Sequence, residues 1–85
     1  MKRIASVSII VEKTESSENI NRILHEYSDI IIGRMGIPLR EYAVSVITLC
    51  VIGGESEISS LSGAIGRLDG VSVKVSYAKK EIVSE

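Results

Sequence analysis

Hydrophobic residues recur along this chain with two different periods, and the changes of period divide it into six segments. Near the N-terminus, Ala5, Val7 and Ile9 occupy every second position, which is typical of a strand with one buried face. Two other segments carry hydrophobic residues three and four positions apart, which is typical of an amphipathic helix. The pattern predicts strands over Lys2–Glu12, Asp29–Ile37, Tyr42–Ile52 and Val71–Tyr77, and helices over Ser16–Tyr27 and Glu55–Leu68.

The order of these segments, β-α-β-β-α-β, is that of the ferredoxin-like split β-α-β arrangement. The third strand is largely apolar on both faces, which is typical of a strand in the interior of a sheet. We therefore predict an α+β sandwich with a four-stranded antiparallel sheet and two helices on one face. Residues 1–78 are predicted to form this single domain, and residues 79–85 to form a charged, loose tail.

The face of the sheet away from the helices is expected to be polar if the protein is a lone monomer. Here that face carries several aliphatic side chains, whose exposure would forfeit several kcal/mol at about 25 cal/mol per Å². A contiguous apolar patch usually marks an interface, whereas single scattered apolar residues are normal on a surface. We predict a homo-oligomer, a dimer or a tetramer, that buries this face. The predicted interface residues are Ile4, Ile10, Val44, Val46, Cys50 and Ile52.

Composition restricts the class of protein further. The 85 residues carry a formal net charge of −1, which gives no electrostatic support for direct binding of nucleic acid or a membrane surface. The single cysteine, Cys50, excludes an internal disulfide framework and fits a reducing compartment. No stretch approaches the roughly 20 apolar residues of a membrane span. We expect a cytoplasmic protein.

Candidate chemistry is sparse. His25 and Cys50 are the only histidine and cysteine, and they are interpreted as a solvated helix residue and a small packed residue, so no metal site is predicted. No nucleophile has a base and an orienting partner nearby in sequence, so neither catalysis nor a cofactor is expected. Gly63 and Gly66 lie inside the second helix, where we expect them to permit close packing against the sheet or a partner helix.

Residues 34–41, at the end of the second strand, are the most unusual part of the sequence. In this segment two arginines, Arg34 and Arg40, flank a glycine and a proline. Arginine forks bind carboxylates and phosphates bidentately, so this segment predicts a ligand site. The alternative interpretation is an edge strand protected by charge. The predicted ligand-binding residues are Arg34, Gly36, Arg40 and Glu41.

Two motifs carry a family resemblance. Residues 34–41, Arg-Met-Gly-Ile-Pro-Leu-Arg-Glu, and residues 62–74, Ser-Gly-Ala-Ile-Gly-Arg-Leu-Asp-Gly-Val-Ser-Val-Lys, resemble the iron-only hydrogenase system regulator family. Members of that family are similar to ACT domains and to the C-terminal domain of the nickel-responsive repressor. The resemblance implies an ACT-like fold, assembly through the sheets and a regulatory or accessory role in maturation or expression of the hydrogenase.

The resemblance also implies a partner protein in hydrogenase maturation or regulation. The arginine-rich strand end and the sheet that is apolar on both faces favour, as the leading hypothesis, an effector held between subunits near Arg34 and Arg40. Two departures limit the analogy with better-known relatives. The nickel repressor domain uses a histidine cluster, whereas this chain has His25 alone. Amino-acid-binding ACT domains carry a glycine after the first strand, and the turn over residues 12–17 has none. A structural interaction module without a small ligand is the alternative function.

Overall fold

The computed structural model describes residues 1–83, and it contains the six predicted elements in the predicted order. Short 3-10 turns at Thr14–Ser16 and Arg40–Tyr42 precede the first helix and join the second and third strands. The strands are β1 (Lys2–Val11), β2 (Ile31–Leu39), β3 (Val44–Gly53) and β4 (Val71–Ile82), and the helices are α1 (Ser17–Glu26) and α2 (Glu55–Gly66).

The four strands form one antiparallel sheet in the order β2-β3-β1-β4. The strand that is apolar on both faces, β3, lies in the interior beside β1, as its sequence predicted. The prediction of a ferredoxin-like α+β sandwich with a four-stranded antiparallel sheet and two helices is confirmed. The edges of the sheet are β2 and β4.

The hydrophobic core lies between one face of the sheet and the two helices. The alternating residues of β1 point into it, and Leu49 and Val51 of β3 lie beside them. The hydrophobic residues that are spaced three and four positions apart in α1 and α2 are buried against this face. The buried residues are Ala5, Val7, Ile9, Val11, Ile20, Ile23, Leu24, Ile30, Leu49, Val51, Ile58, Leu61 and Ile65.

The last strand is longer than its alternation predicted. It continues past Tyr77 to Ile82, because Ile82 pairs with Lys2 and Glu81 pairs with Arg3 of β1. The prediction of a loose tail beginning at residue 79 is therefore wrong for residues 79–82, and residues 84–85 of that tail lie outside the described residues. An edge strand tolerates this run of charge because one of its sides is open to water.

The glycines of α2 were expected to permit close packing against the sheet or a partner helix, and the structure bears on the sheet alone. A Cβ built on Gly63 would meet only Nη1 of Arg67 at 3.9 Å, and one on Gly66 would meet only Cγ2 of Val73 at 4.0 Å. These are ordinary van der Waals distances, so the packing of α2 against the sheet of its own chain does not require glycine there. Gly70 is different, because its φ of +71° lies in the left-handed region and a Cβ would approach Lys13 Cγ at 2.5 Å.

The turn before β4 is tied to the turn after β1. Lys13 Nζ donates to Asp69 Oδ2 at 2.7 Å, and Ser16 Oγ donates to the carbonyl oxygen of Asp69 at 2.7 Å. The backbone N–H of Glu12 donates to the carbonyl oxygen of Gly70, also at 2.7 Å. These bonds hold the start of α1 against the turn that joins α2 to β4.

Candidate functional site

The sheet face away from the helices, here called the open face, is built from four cross-strand rows and one shorter end. Residues facing the same side of neighbouring strands share a row because the strands are in register. The rows are Leu39 and Val44; Ile37, Val46, Ile10 and Ser72; Met35, Thr48, Ser8 and Lys74; and Gly33, Cys50, Ser6 and Ser76. Ile52 and Ile4 pair at the far end.

All six residues predicted for the interface lie on the open face. Large aliphatic side chains occupy its two ends. The middle rows carry small or hydroxyl-bearing side chains on the inner strands, with Met35 and Lys74 on the two edge strands. Lys74, on the edge strand β4, is the only charged residue in the four rows. Apart from Lys74 at its edge, this face can lie against another apolar surface without desolvating charge, but its burial between subunits stays a prediction.

Three residues of the open face were missed by the sequence reasoning, namely Met35, Ile37 and Leu39 of β2. All three are exposed large hydrophobic residues. The register of β2 shifts between Ile31 and Gly33, so the run of isoleucines at its start does not reveal which face the later residues occupy. The sequence signal that could have identified them is the hydrophobic residue at every second position from Met35 to Leu39, which requires the second strand to continue to Leu39.

The predicted ligand residue Arg34 lies on the opposite side of β2, in a groove between α1 and this edge strand. Its Nη2 donates to Oδ1 of Asn21 at 3.3 Å. Within residues 1–83, no acidic side chain forms a salt bridge with its guanidinium. Most of the five donors of this group are therefore free for an anion. Asn21 was not predicted as a partner, since thirteen positions in sequence separate it from Arg34.

The groove has two parts that meet at Arg34 and Asn21. One part, of about 410 Å³, is lined by Asn21, Leu24, His25, Ser28, Ile31 and Arg34. The other, of about 220 Å³, is lined by Val11, Ser17, Asn21, Arg34, Gly36, Ile37, Pro38, Ser45 and Ile47. A Cβ on Gly36 would meet no atom within 4 Å, so this glycine leaves open space in the floor. The groove can hold a small molecule with one anionic group and an apolar part.

Arg40 and Glu41 lie elsewhere, in the 3-10 turn at the tip of the β2–β3 hairpin. They line a separate cavity of about 600 Å³ with Pro38, Leu39 and Tyr42. Six residues of extended chain separate Arg34 from Arg40, a span of roughly 20 Å at about 3.3 Å per residue. Within one subunit the structure thus joins Arg34 with Gly36 and joins Arg40 with Glu41, but it does not bring the two arginines together.

The remaining titratable groups show no constellation typical of an active site. Among residues 1–83, no group of three or more His, Cys, Asp and Glu side chains is placed to hold a metal ion. His25 and Cys50 are both exposed, on α1 and on the open face respectively. The hydrogen bond to Lys13 lowers the pKa of Asp69, and the same bond raises the pKa of Lys13. In the described part of the chain, no helix has the length and apolarity to cross a membrane.

A family model described as "TM1266-like: Iron-only hydrogenase system regulator, putative" matches residues 3–75. The chain belongs to this family. The match spans both motifs on which the resemblance rested, together with the α1–β2 groove and all of the open face except Ser76. The comparison with curated proteins finds no match.

Solved structures agree with the TM1266-like assignment. TM1266 from Thermotoga maritima is 32% identical, with a TM-score of 0.89, and the match covers 93% of this chain and 100% of that one. The C-terminal domain of MgtC from Mycobacterium tuberculosis is 10% identical, with a TM-score of 0.69 and coverage of 96% and 94%. CPII, a nitrogen regulatory PII-like protein from Thiomonas intermedia bound to ADP, AMP and bicarbonate, is 14% identical, with a TM-score of 0.52 and coverage of 94% and 96%. The last two show a shared fold alone.

Proposed function

We propose that this TM1266-like protein is a regulatory or accessory subunit of the iron-only hydrogenase system that acts as a homo-oligomer and responds to a small effector. Membership of the family is the observation that carries the regulatory role. The described part of the chain, residues 1–83, offers a groove and a flat apolar face but no cluster of catalytic groups. This combination fits a protein that binds and assembles better than one that performs chemistry.

Assembly is proposed to use the open face. Its rows present aliphatic side chains at both ends, and the middle rows carry short side chains on the two inner strands, with Met35 and Lys74 at the edges. Two stacked sheets lie about 10 Å apart, a spacing that short inner side chains permit. The only charge in the four rows, Lys74, lies on an edge strand, where its stem can carry the ammonium group out to water. Stacking of two such faces makes a dimer, and a second contact would make a tetramer.

The effector is proposed to bind through Arg34. The support is the single hydrogen bond of its guanidinium to Asn21 and the open space above Gly36 in the floor of the groove. Arg40 and Glu41 line the cavity at the hairpin tip. They reach the same effector only if a neighbouring subunit brings its hairpin tip to this groove, which is the arrangement proposed.

The role is tested by deleting the gene in the organism that encodes it and measuring hydrogenase activity, hydrogenase transcript and hydrogenase protein. We expect at least one of the three to change and to return when the wild-type gene is restored. Restoration with Arg34→Ala is expected to fail. Arg22→Ala, which removes an exposed arginine from α1, is the matched control and is expected to succeed. Unchanged hydrogenase in the deletion strain would contradict the role.

The effector is tested separately with the purified protein, by thermal-shift screening of amino acids, nucleotides and metal ions. A ligand is expected to raise the melting temperature of the wild type and of Arg22→Ala but not that of Arg34→Ala. If no compound acts while the deletion phenotype is real, the alternative function is favoured. That alternative is an interaction module without a ligand, and capture of a named hydrogenase maturation protein in the absence of any effector would support it.

A further inference from the structure

The two edge strands of the sheet differ in how well they are protected from pairing with another strand. Natural edge strands usually carry charges or bulges that prevent such pairing. On β4, Lys74, Lys79, Lys80 and Glu81 supply four charges. On β2, Arg34 is the only charged residue. The protective features of β2 are Arg34, Pro38 and a register shift between Ile31 and Gly33, so with one charge against four it is the less protected edge of the sheet.

The free edge of β2 also carries exposed apolar side chains. Four of the nine residues of this strand are exposed large hydrophobic residues, namely Ile32, Met35, Ile37 and Leu39. A long, apolar edge of this kind is a template for an added strand. The register shift of β2 lies at its beginning, between Ile31 and Gly33, so residues 33–39 remain regular.

Backbone groups along this edge are directed outward at alternate residues. The N–H of Ile52 donates to the carbonyl oxygen of Ile30. Along a strand, the backbone N–H and C=O groups point to one neighbour and then to the other at alternate residues. Cys50 and Thr48, two and four positions before Ile52 on β3, therefore also direct their backbone groups towards β2. Their partners Gly33 and Met35 are then bonded within the sheet. The backbone groups of Arg34, Gly36 and Pro38 consequently face the free edge, which is the side on which a strand tolerates proline.

We propose that β2 pairs antiparallel with β2 of a second copy of this chain, with Met35 opposite its own copy, so that the two sheets join edge to edge. In this register, Arg34 lies opposite Gly36 of the partner subunit. Ile37 likewise lies opposite the partner's Gly33. A Cβ on either glycine would meet no atom of its own chain within 4 Å, so each large side chain faces open space.

Charge favours this register over its neighbour. Centring the pair on Arg34 would place two guanidinium groups directly opposite each other, which is destabilising. With Met35 at the centre, the N–H and C=O groups of Arg34 and Gly36 exchange hydrogen bonds with the partner on both sides of the two-fold axis. The pairing uses the backbone edge and leaves the open face free, so it is independent of the face-to-face contact and of the regulatory role.

Hydrogen exchange distinguishes this pairing from stacking of the open faces. The amide protons of Arg34 and Gly36 are expected to exchange at least tenfold more slowly in the wild type than in Met35→Lys, which places two ammonium groups opposite each other. The neutral variant Met35→Gln is the control and is expected to retain most of the protection. Equal exchange of these two amides in wild type and Met35→Lys would overturn the proposal.

Mixing two variants tests the register. Met35→Lys and Met35→Glu are each expected to lose the edge contact, and an equimolar mixture is expected to regain both the protected amides and the larger mass in sedimentation. The open-face variant Val46→Lys is expected to keep the Arg34 and Gly36 amides protected. Failure of the mixture to regain protection, or loss of protection in Val46→Lys while it stays folded, would overturn edge pairing around Met35.

Discussion

Replacing Ile10 with lysine is expected to separate subunits that stack through the open face. Ile10 lies in the same row as Ile37 and Val46. Ile10, Ile37, Met35 and Leu39 are 41%, 46%, 59% and 40% exposed. At about 1.5–3 kcal/mol for full burial of each such side chain, covering them contributes about 3–6 kcal/mol per protomer, or about 6–11 kcal/mol per pair. That gain is comparable with the roughly 4–15 kcal/mol cost of association, so losing the burial of any one of these side chains weakens the dimer.

A lysine at position 10 removes the buried isoleucine side chain from both subunits of the dimer. It also places two ammonium groups in the contact. Desolvation of each charge costs several kcal/mol. We expect the dissociation constant to rise at least about a hundredfold, which corresponds to about 2.8 kcal/mol. Folding is expected to survive, since Ile10 points away from the core and the lysine stem can lie along the sheet.

Sedimentation velocity across the micromolar range measures the change, and circular dichroism melting shows whether the variant folds. Asn19→Lys adds the same charge on the exposed side of α1 and is the control, with no expected change in mass. A folded Ile10→Lys protein that associates as tightly as the wild type would show that the open face is not the contact. A wild type that is monomeric at all these concentrations would refute the burial argument itself.

Three further substitutions test the fold. Gly70→Ala is expected to lower stability by at least about 1–2 kcal/mol in chemical denaturation, because φ is +71° and the new Cβ meets Lys13; an unchanged midpoint would contradict the clash. Gly63→Ala is expected to raise stability by about 0.4–1 kcal/mol, and a loss would show that a partner needs this glycine. Asp69 has a lowered pKa in the folded state, so its bond to Lys13 stabilises above the ordinary pKa of about 4 and is lost as pH falls through the lowered value. In Asp69→Asn, the melting temperature is expected to fall less steeply than in the wild type as the pH is lowered below about 4.

Much of the fold follows from periodicity alone. Alternation placed Ala5, Val7 and Ile9 in the core, and the spacing of Ile58, Leu61 and Ile65 placed α2 over them. The central position of β3 followed from its two apolar faces. These features were predictable because the geometry of a strand or helix decides which of its residues face the core, and that geometry repeats over a few neighbouring residues.

Features that depend on contacts between distant residues were not predictable in this way. The length of β4 is set by pairing of Glu81 and Ile82 with the start of β1. The charged residues before Ile82 interrupt the alternation of hydrophobic residues, so the sequence pattern does not predict this part of the strand. The sequence placed Arg34 and Arg40 in one short segment, and only the straight course of β2 separates their side chains. The bond from Arg34 to Asn21 depends on where α1 crosses the sheet, which no local spacing encodes.

The strand order β2-β3-β1-β4 has a consequence for how the chain folds during synthesis. Among the four strands, β1 is synthesised before the others and occupies the interior of the sheet, so Ala5 can pair with Val51 and Tyr77 only after β3 and β4 have been made. Only the β2–β3 hairpin closes between neighbours in sequence. The nascent chain therefore carries an apolar, unpaired β1 until β3 and β4 have been made, so protection of β1 against aggregation during synthesis is the expected requirement of this small protein.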